Sequence, residues 1–138
     1  MKMIKCLLVD DDPDEFEIFQ AAIDDTMLPV ECLYASNCPY AIDHVQGREQ
    51  QIPEFVFIDW LLPAMDGMQC LTNLKMLPEL SGAEFVIYTA FALSESTMKA
   101  IESYHCKFLR KSESVTMLSD QLRSILQPVG LTQVNARL

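Results

Sequence analysis

A chain of 138 residues fits one domain, and at that length a fold buries roughly 68 to 70% of the unfolded chain's surface, enough for a substantial core. Against 20 Asp and Glu stand 10 Lys and Arg, and the formal net charge of -10 repels nucleic-acid phosphates and anionic membrane surfaces, which argues against direct DNA binding. Five cysteines (Cys6, Cys32, Cys38, Cys70, Cys106) show no CxxC spacing and sit mostly in apolar segments, and the apolar run before Asp10 is too short for a signal peptide or a membrane span; a cytoplasmic protein with free thiols and no membrane insertion is expected.

The first predicted strand is Ile4 to Val9, followed by a helix start at Asp12-Pro13-Asp14-Glu15, where Asp12 caps, Pro13 suits the first position and acids favour the first turn. Phe16, Phe19, Ile23 and Met27 then recur on one helix face, up to an end near Pro29. Val30 to Ala35 reads as a second strand. Ser36, Asn37 and Pro39 open a second helix with Ala41, Ile42 and Val45 inward and Gly47 as its stop. Phe55 to Ile58 is a third strand, and a loop over Pro63 to Gly67 leads to a helix with Cys70, Leu71 and Leu74 facing the core, closed by Pro78 and Ser81-Gly82. Phe85 to Tyr88 is a fourth strand. Ser94 caps a helix carrying Met98, Ile101 and Tyr104, Lys107 to Leu109 is a short fifth strand, and Ser112 or Ser114 starts a last helix with Leu118, Leu122, Ile125 and Leu126 inward. Residues 128–138 have no clear period.

Five strand and helix pairs with nearly all-apolar strands predict an α/β fold. The expected architecture over residues 1–127 is a flavodoxin-like (βα)5 doubly wound parallel sheet of strand order 2-1-3-4-5, with residues 128–138 as a tail. Such sheets bind ligands outside the carboxyl ends of their strands. Here those ends carry Asp10, Asp11 and Asp12 after the first strand, Asp59 after the third, Thr89 at the fourth and Lys111 just past the fifth. Two like charges ~4 Å apart repel by about 4 kcal/mol at an effective dielectric of 20, so a carboxylate cluster of this kind calls for a cation.

The segments LLVDDDPD, FIDWLLPAMDG, IYTA and FLRKS, in this order, resemble the receiver (CheY-like) domain of two-component response regulators, single-domain type, over about residues 3 to 127. The resemblance implies that Asp59 is the phosphoacceptor in a Mg²⁺-dependent transfer from a histidine kinase or phosphotransfer protein. Asp10, Asp11, Asp59 and the backbone carbonyl of Leu61 would hold the Mg²⁺. Thr89 and Lys111 would neutralise the phosphoryl oxygens. Thr89 and Phe108 would form a switch that remodels a face for a downstream protein target. Such a protein is not an enzyme in the usual sense, since it catalyses only its own phosphorylation and dephosphorylation; a monomer or weak dimer is expected.

Two departures from the family pattern stand out. Ser112 follows Lys111 where the family commonly has proline, often after a cis bond, so a trans Lys111–Ser112 peptide is expected, because a non-proline cis bond costs about 2.5 to 4 kcal/mol. Leu61 and Phe91, at positions that set phosphoryl lifetime in the family, are apolar and predict slow autodephosphorylation. His44 and His105 lack partner acids or cysteines at ligand spacing and read as surface or packing residues. Of the rival readings, a Mg²⁺-dependent phosphohydrolase of the haloacid dehalogenase type wants an Asp where Leu61 stands. A flavin-binding protein wants a neutral phosphate loop where three aspartates stand. An interaction module that works without phosphorylation keeps the same fold and is the remaining alternative.

Overall fold

The computed structural model describes residues 2–127; the expected tail, 128–138, lies outside them. Five strands, β1 (Ile4–Val9), β2 (Val30–Ala35), β3 (Phe55–Ile58), β4 (Glu84–Thr89) and β5 (Lys107–Arg110), pair in parallel in the spatial order β2, β1, β3, β4, β5. The helices are α1 (Pro13–Asp25), α2 (Cys38–Gln46), α3 (Gly67–Lys75), α4 (Glu95–Ser103) and α5 (Val115–Leu126). The architecture is the expected doubly wound flavodoxin-like sheet.

Strand alternation divides the core into two layers. Leu7, Val9, Val56, Ile58, Phe85 and Ile87 face α2, α3 and α4, where they meet Val45, Leu71, Leu74 and Ile101. Cys6, Leu8, Phe57, Val86 and Tyr88 face α1 and α5, where they meet Phe19, Ile23, Leu118, Leu122 and Leu126. Each fully buried leucine of α5 contributes roughly 1.5 to 3 kcal/mol relative to an exposed one.

Capping sets where the helices begin. The carboxylate of Asp12 accepts from the Asp14 N–H at 2.9 Å, Asn37 caps α2 from the Tyr40 N–H at 2.8 Å, and Ser94 and Ser114 cap α4 and α5. Asp66 and Gln69 form a reciprocal capping box on α3.

Three expected local features are corrected. The first helix stops at Asp25 because the buried Thr26 turns its hydroxyl back to the Ile23 carbonyl at 2.6 Å. Met27 then takes a left-handed φ of 62° and points outward, 87% exposed, rather than continuing the buried face. Tyr104 caps the end of α4 and is exposed, leaving Ile101 as that helix's buried anchor. The segment after β3, expected as a loop, contains a two-residue antiparallel pairing of Leu61–Leu62 with Met65–Asp66. Pro63 and Ala64 form its tip, Ala64 with a φ of 65°, as a turn with a left-handed second central residue requires.

Candidate functional site at the carboxyl edge of the sheet

The expected acids converge because β1 and β3 are hydrogen-bonded neighbours whose last paired residues are Val9 and Ile58. Asp10 and Asp59 follow directly, on adjacent strand ends. One carboxylate oxygen from each of Asp10, Asp11 and Asp59 lies within 4.8 Å of the others, with Asp10 and Asp59 buried and Asp11 exposed. Three hard oxygen donors this close, open to solvent on the Asp11 side, suit a small divalent cation that keeps several waters.

Gly67 makes the approach of the next segment possible. A Cβ there would lie 2.8 Å from the Asp59 carbonyl oxygen and 2.9 Å from the Trp60 Cα, so only glycine lets the start of α3 close against the strand end. The Gly67 N–H donates to the Trp60 carbonyl at 2.7 Å. This clamps the chain between Asp59 and Leu61, whose backbone belongs to the small hairpin while its side chain is 52% exposed.

Lys111 enters from the far side. Its backbone N–H donates to the Thr89 carbonyl at 2.9 Å, tying the end of β5 to β4. Its ammonium donates to the Asp10 carboxylate at 2.7 Å and lies 3.7 Å from both Asp59 and Glu15. Burial alone lowers an ammonium's pKa; here the hydrogen bond to Asp10 and the charges of Asp10, Asp59 and Glu15 outweigh it, and the Lys111 pKa is raised. For Asp59 burial dominates and raises the carboxyl pKa. Lys111 opposes that shift, Asp10 adds to it, and hydrogen bonds from the Thr89 hydroxyl and the Trp60 backbone oppose it. Asp59 is thus a buried carboxyl group whose charged form is disfavoured by burial and only partly supported by Lys111 and the two hydrogen bonds.

Asp12 is a cap, as expected. Its N–H also donates to the other Asp10 oxygen at 3.0 Å, which orients that carboxylate. Thr89 is fully buried, and its hydroxyl oxygen accepts from the Phe91 N–H at 3.4 Å. Phe108 is half-buried against the α2, α3 and α4 layer, on β5 beside Ile87. The Lys111–Ser112 peptide is trans, since no described residue has a cis bond. His44 binds the Tyr34 carbonyl at 2.8 Å and His105 is exposed, and the five cysteines are free.

Two site residues escaped the sequence reading. Glu15 looks in sequence like a first-turn acid favouring the helix dipole; only the placement of α1 over the strand ends brings it to Lys111. Tyr88 looks like an ordinary strand aromatic, yet Lys111 stands over its ring at 5.4 Å from the centroid.

The family model of the response regulator receiver domain matches residues 6–123. The chain belongs to the response regulator receiver family. Its fold is that of a receiver in the crystal structure of the Mn²⁺-bound form of response regulator Rcp1, with a TM-score of 0.76 at 22% identity over 91% of this chain and 96% of that one. Among curated proteins, this receiver is 25% identical over 124 residues to the phosphate regulon transcriptional regulatory protein PhoB of Pseudomonas aeruginosa, covering 90% of this chain and 52% of PhoB. It is 27% identical over 93 residues to the hybrid signal transduction histidine kinase H of Dictyostelium discoideum, covering 67% of this chain and 7% of that protein. The receiver thus spans about half or less of these relatives. Among the described residues no helix is long and apolar enough to cross a membrane.

Proposed function

We propose that this receiver accepts a phosphoryl group on Asp59 from a histidine kinase or phosphotransfer protein, and that it works in the cytoplasm as a monomer or weak dimer, with residues 1–127 as the receiver and 128–138 as a tail. The observation that carries the reading is the meeting of Asp59 with Lys111 at 3.7 Å beside Asp10 and Asp11, a carboxylate from the central strand and a cation from beyond the edge strand β5. An Asp59 carboxylate oxygen forms the new O–P bond as the bond from phosphorus to the donor's atom breaks, and the donor leaves with that electron pair. Lys111, released from Asp10, donates to one phosphoryl oxygen, and the Thr89 hydroxyl donates to another.

Asp10, Asp11, Asp59 and the Leu61 carbonyl would hold Mg²⁺, whose charge when bound offsets that of the phosphoryl oxygens. The three clustered carboxylates, one of them solvent-facing, fit such an ion. Thr89, at the end of β4, and Phe108, on β5 beside Ile87, would couple phosphorylation to the α4, β5 and α5 face, on which a downstream protein target docks. The only catalysis in this scheme is of its own phosphorylation and dephosphorylation.

Intact-mass measurement after incubation with acetyl phosphate and Mg²⁺ tests the proposal. The wild type is expected to gain one phosphoryl group and Asp59→Asn none. No gain in the wild type with either acetyl phosphate or a phosphorylated phosphotransfer protein would instead support an interaction module that works unphosphorylated.

A further inference from the structure

Lys111 is followed by Ser112, whose backbone lacks the ring constraint that proline imposes, so contacts of the lysine side chain itself must decide where its ammonium stands. Those contacts are two kinds. Three carboxylates attract it, Asp10 at 2.7 Å and Asp59 and Glu15 at 3.7 Å. The ammonium also lies over the Tyr88 ring, 5.4 Å from its centroid.

We propose that Tyr88 is the positioning residue of Lys111, its buried ring forming the floor that holds the ammonium level with the phosphoacceptor, while Glu15 holds it from the α1 side. The proposal rests on the phosphoryl-accepting reading of Asp59 for its functional consequence, though not for its geometry. Tyr88 immediately precedes Thr89 on β4, and its Cα partner on β5 is Leu109, two residues before Lys111. The lysine therefore leaves the strand just beyond the tyrosine and crosses back over it.

The ring cannot yield, because it is fully buried and fixed by two other rings. Phe19 of α1 packs tilted against it at 5.5 Å, Phe57 of β3 meets it edge-on at 6.5 Å, and Phe19 and Phe57 touch each other at 4.9 Å. A ring so held presents its electron-rich face to a cation at a fixed height. An aliphatic residue there would offer the ammonium no ring face. The Tyr88 hydroxyl has no hydrogen-bond partner among the described residues, so the interaction assigned here belongs to the ring.

The test compares Tyr88→Leu, which removes the ring, with Tyr88→Phe, which keeps it, in the full chain. The first readout is the Lys111 ε-methylene resonance in lysine-labelled protein without metal, assigned with Lys111→Arg. A ring-current shift is expected in wild type and Tyr88→Phe and its loss in Tyr88→Leu. The second is the rate of phosphoryl gain from acetyl phosphate with Mg²⁺, expected to fall about three- to tenfold in Tyr88→Leu, as the loss of one cation–π contact implies, and to stay within about twofold in Tyr88→Phe. Tyr88→Met serves as the ringless variant if Tyr88→Leu does not fold. An unmoved Lys111 resonance or an unchanged rate in the folded ringless variant overturns the proposal, as does a Tyr88→Phe that loses as much as Tyr88→Leu. A wild type that takes no phosphoryl group refutes the receiver mechanism, and the resonance still decides the placement of Lys111.

Discussion

Removing the Lys111 ammonium while leaving its partners in place is the most demanding test of the site's electrostatics. In Lys111→Ala, Asp10 at 1% and Asp59 at 7% exposure lose the only cation within 4 Å of them among the described residues. Breaking a buried ion pair by deleting one partner costs about 3 to 5 kcal/mol, since the remaining charge stays desolvated. Two carboxylates are stranded here, but Asp11 opens the cluster to water, so the lower end, about 3 kcal/mol, is expected. For a domain of this length that lowers the melting temperature by about 10 °C in EDTA.

Mg²⁺ narrows the gap, because the lysine and the metal share the Asp10 carboxylate. A cation at 100 times its dissociation constant stabilises by about 2.7 kcal/mol, enough to restore most of the loss in the variant. Circular-dichroism melts of both proteins in EDTA and in millimolar Mg²⁺ check this, with a melting temperature that rises in both and rises more in Lys111→Ala. A loss in EDTA worth under about 1 kcal/mol, or equal Mg²⁺ shifts in the two proteins, would refute the reasoning that the ammonium holds the cluster together.

The Asp59 charge has its own pH signature. Because burial raises its folded pKa above the ordinary 3.8, the folded state holds more protons than the unfolded one between those two values, and stability falls as pH rises through that window. Without metal, Asp59→Asn should therefore melt higher than wild type at neutral pH and lose that advantage at pH about 3; a gain that persists unchanged in acid would contradict this. Asp12→Ala removes the α1 cap and should cost about 1 kcal/mol by urea denaturation while leaving phosphoryl gain detectable. Leu61 and Phe91, 52% and 51% exposed beside the strand ends, are expected to slow water's approach to the acyl phosphate. Leu61→Asn with Phe91→Glu should shorten the phosphoryl half-life measured after removal of the donor, and an unchanged half-life would remove these two side chains from the account.

Strand and helix identity were readable because their signals are local. Four-to-six-residue apolar runs such as Phe55–Ile58 have no other economical placement than a strand covered on both faces, and Asp12, Asn37, Ser94 and Ser114 announce helix starts by capping chemistry that acts over three residues. Helix ends were harder. Met27 continued the apolar spacing of α1, but a buried Thr26 hydroxyl reaching the Ile23 carbonyl ended the helix two residues earlier, a competition that spacing cannot reveal. The hairpin of Leu61–Leu62 with Met65–Asp66 hid for the same reason, since a Pro-Ala tip lacks the glycine that usually marks such a turn.

The amino-acid sequence by itself determined which residues can carry charge at the strand ends: Asp10, Asp11 and Asp59 after apolar runs, Thr89 and Lys111 opposite, with the pattern of the four segments assigning the family. Only the tertiary structure decided which of these charges meet. Asp10 and Lys111 are 101 positions apart and 2.7 Å from each other because β1 and β5 flank the central strands of one parallel sheet. The same packing of α1 and β4 adds Glu15 and the Tyr88 ring to the lysine's surroundings. Local propensity says nothing of such neighbours, because Coulomb and cation–π energies depend on distances through space, and those are set by sheet order and helix placement.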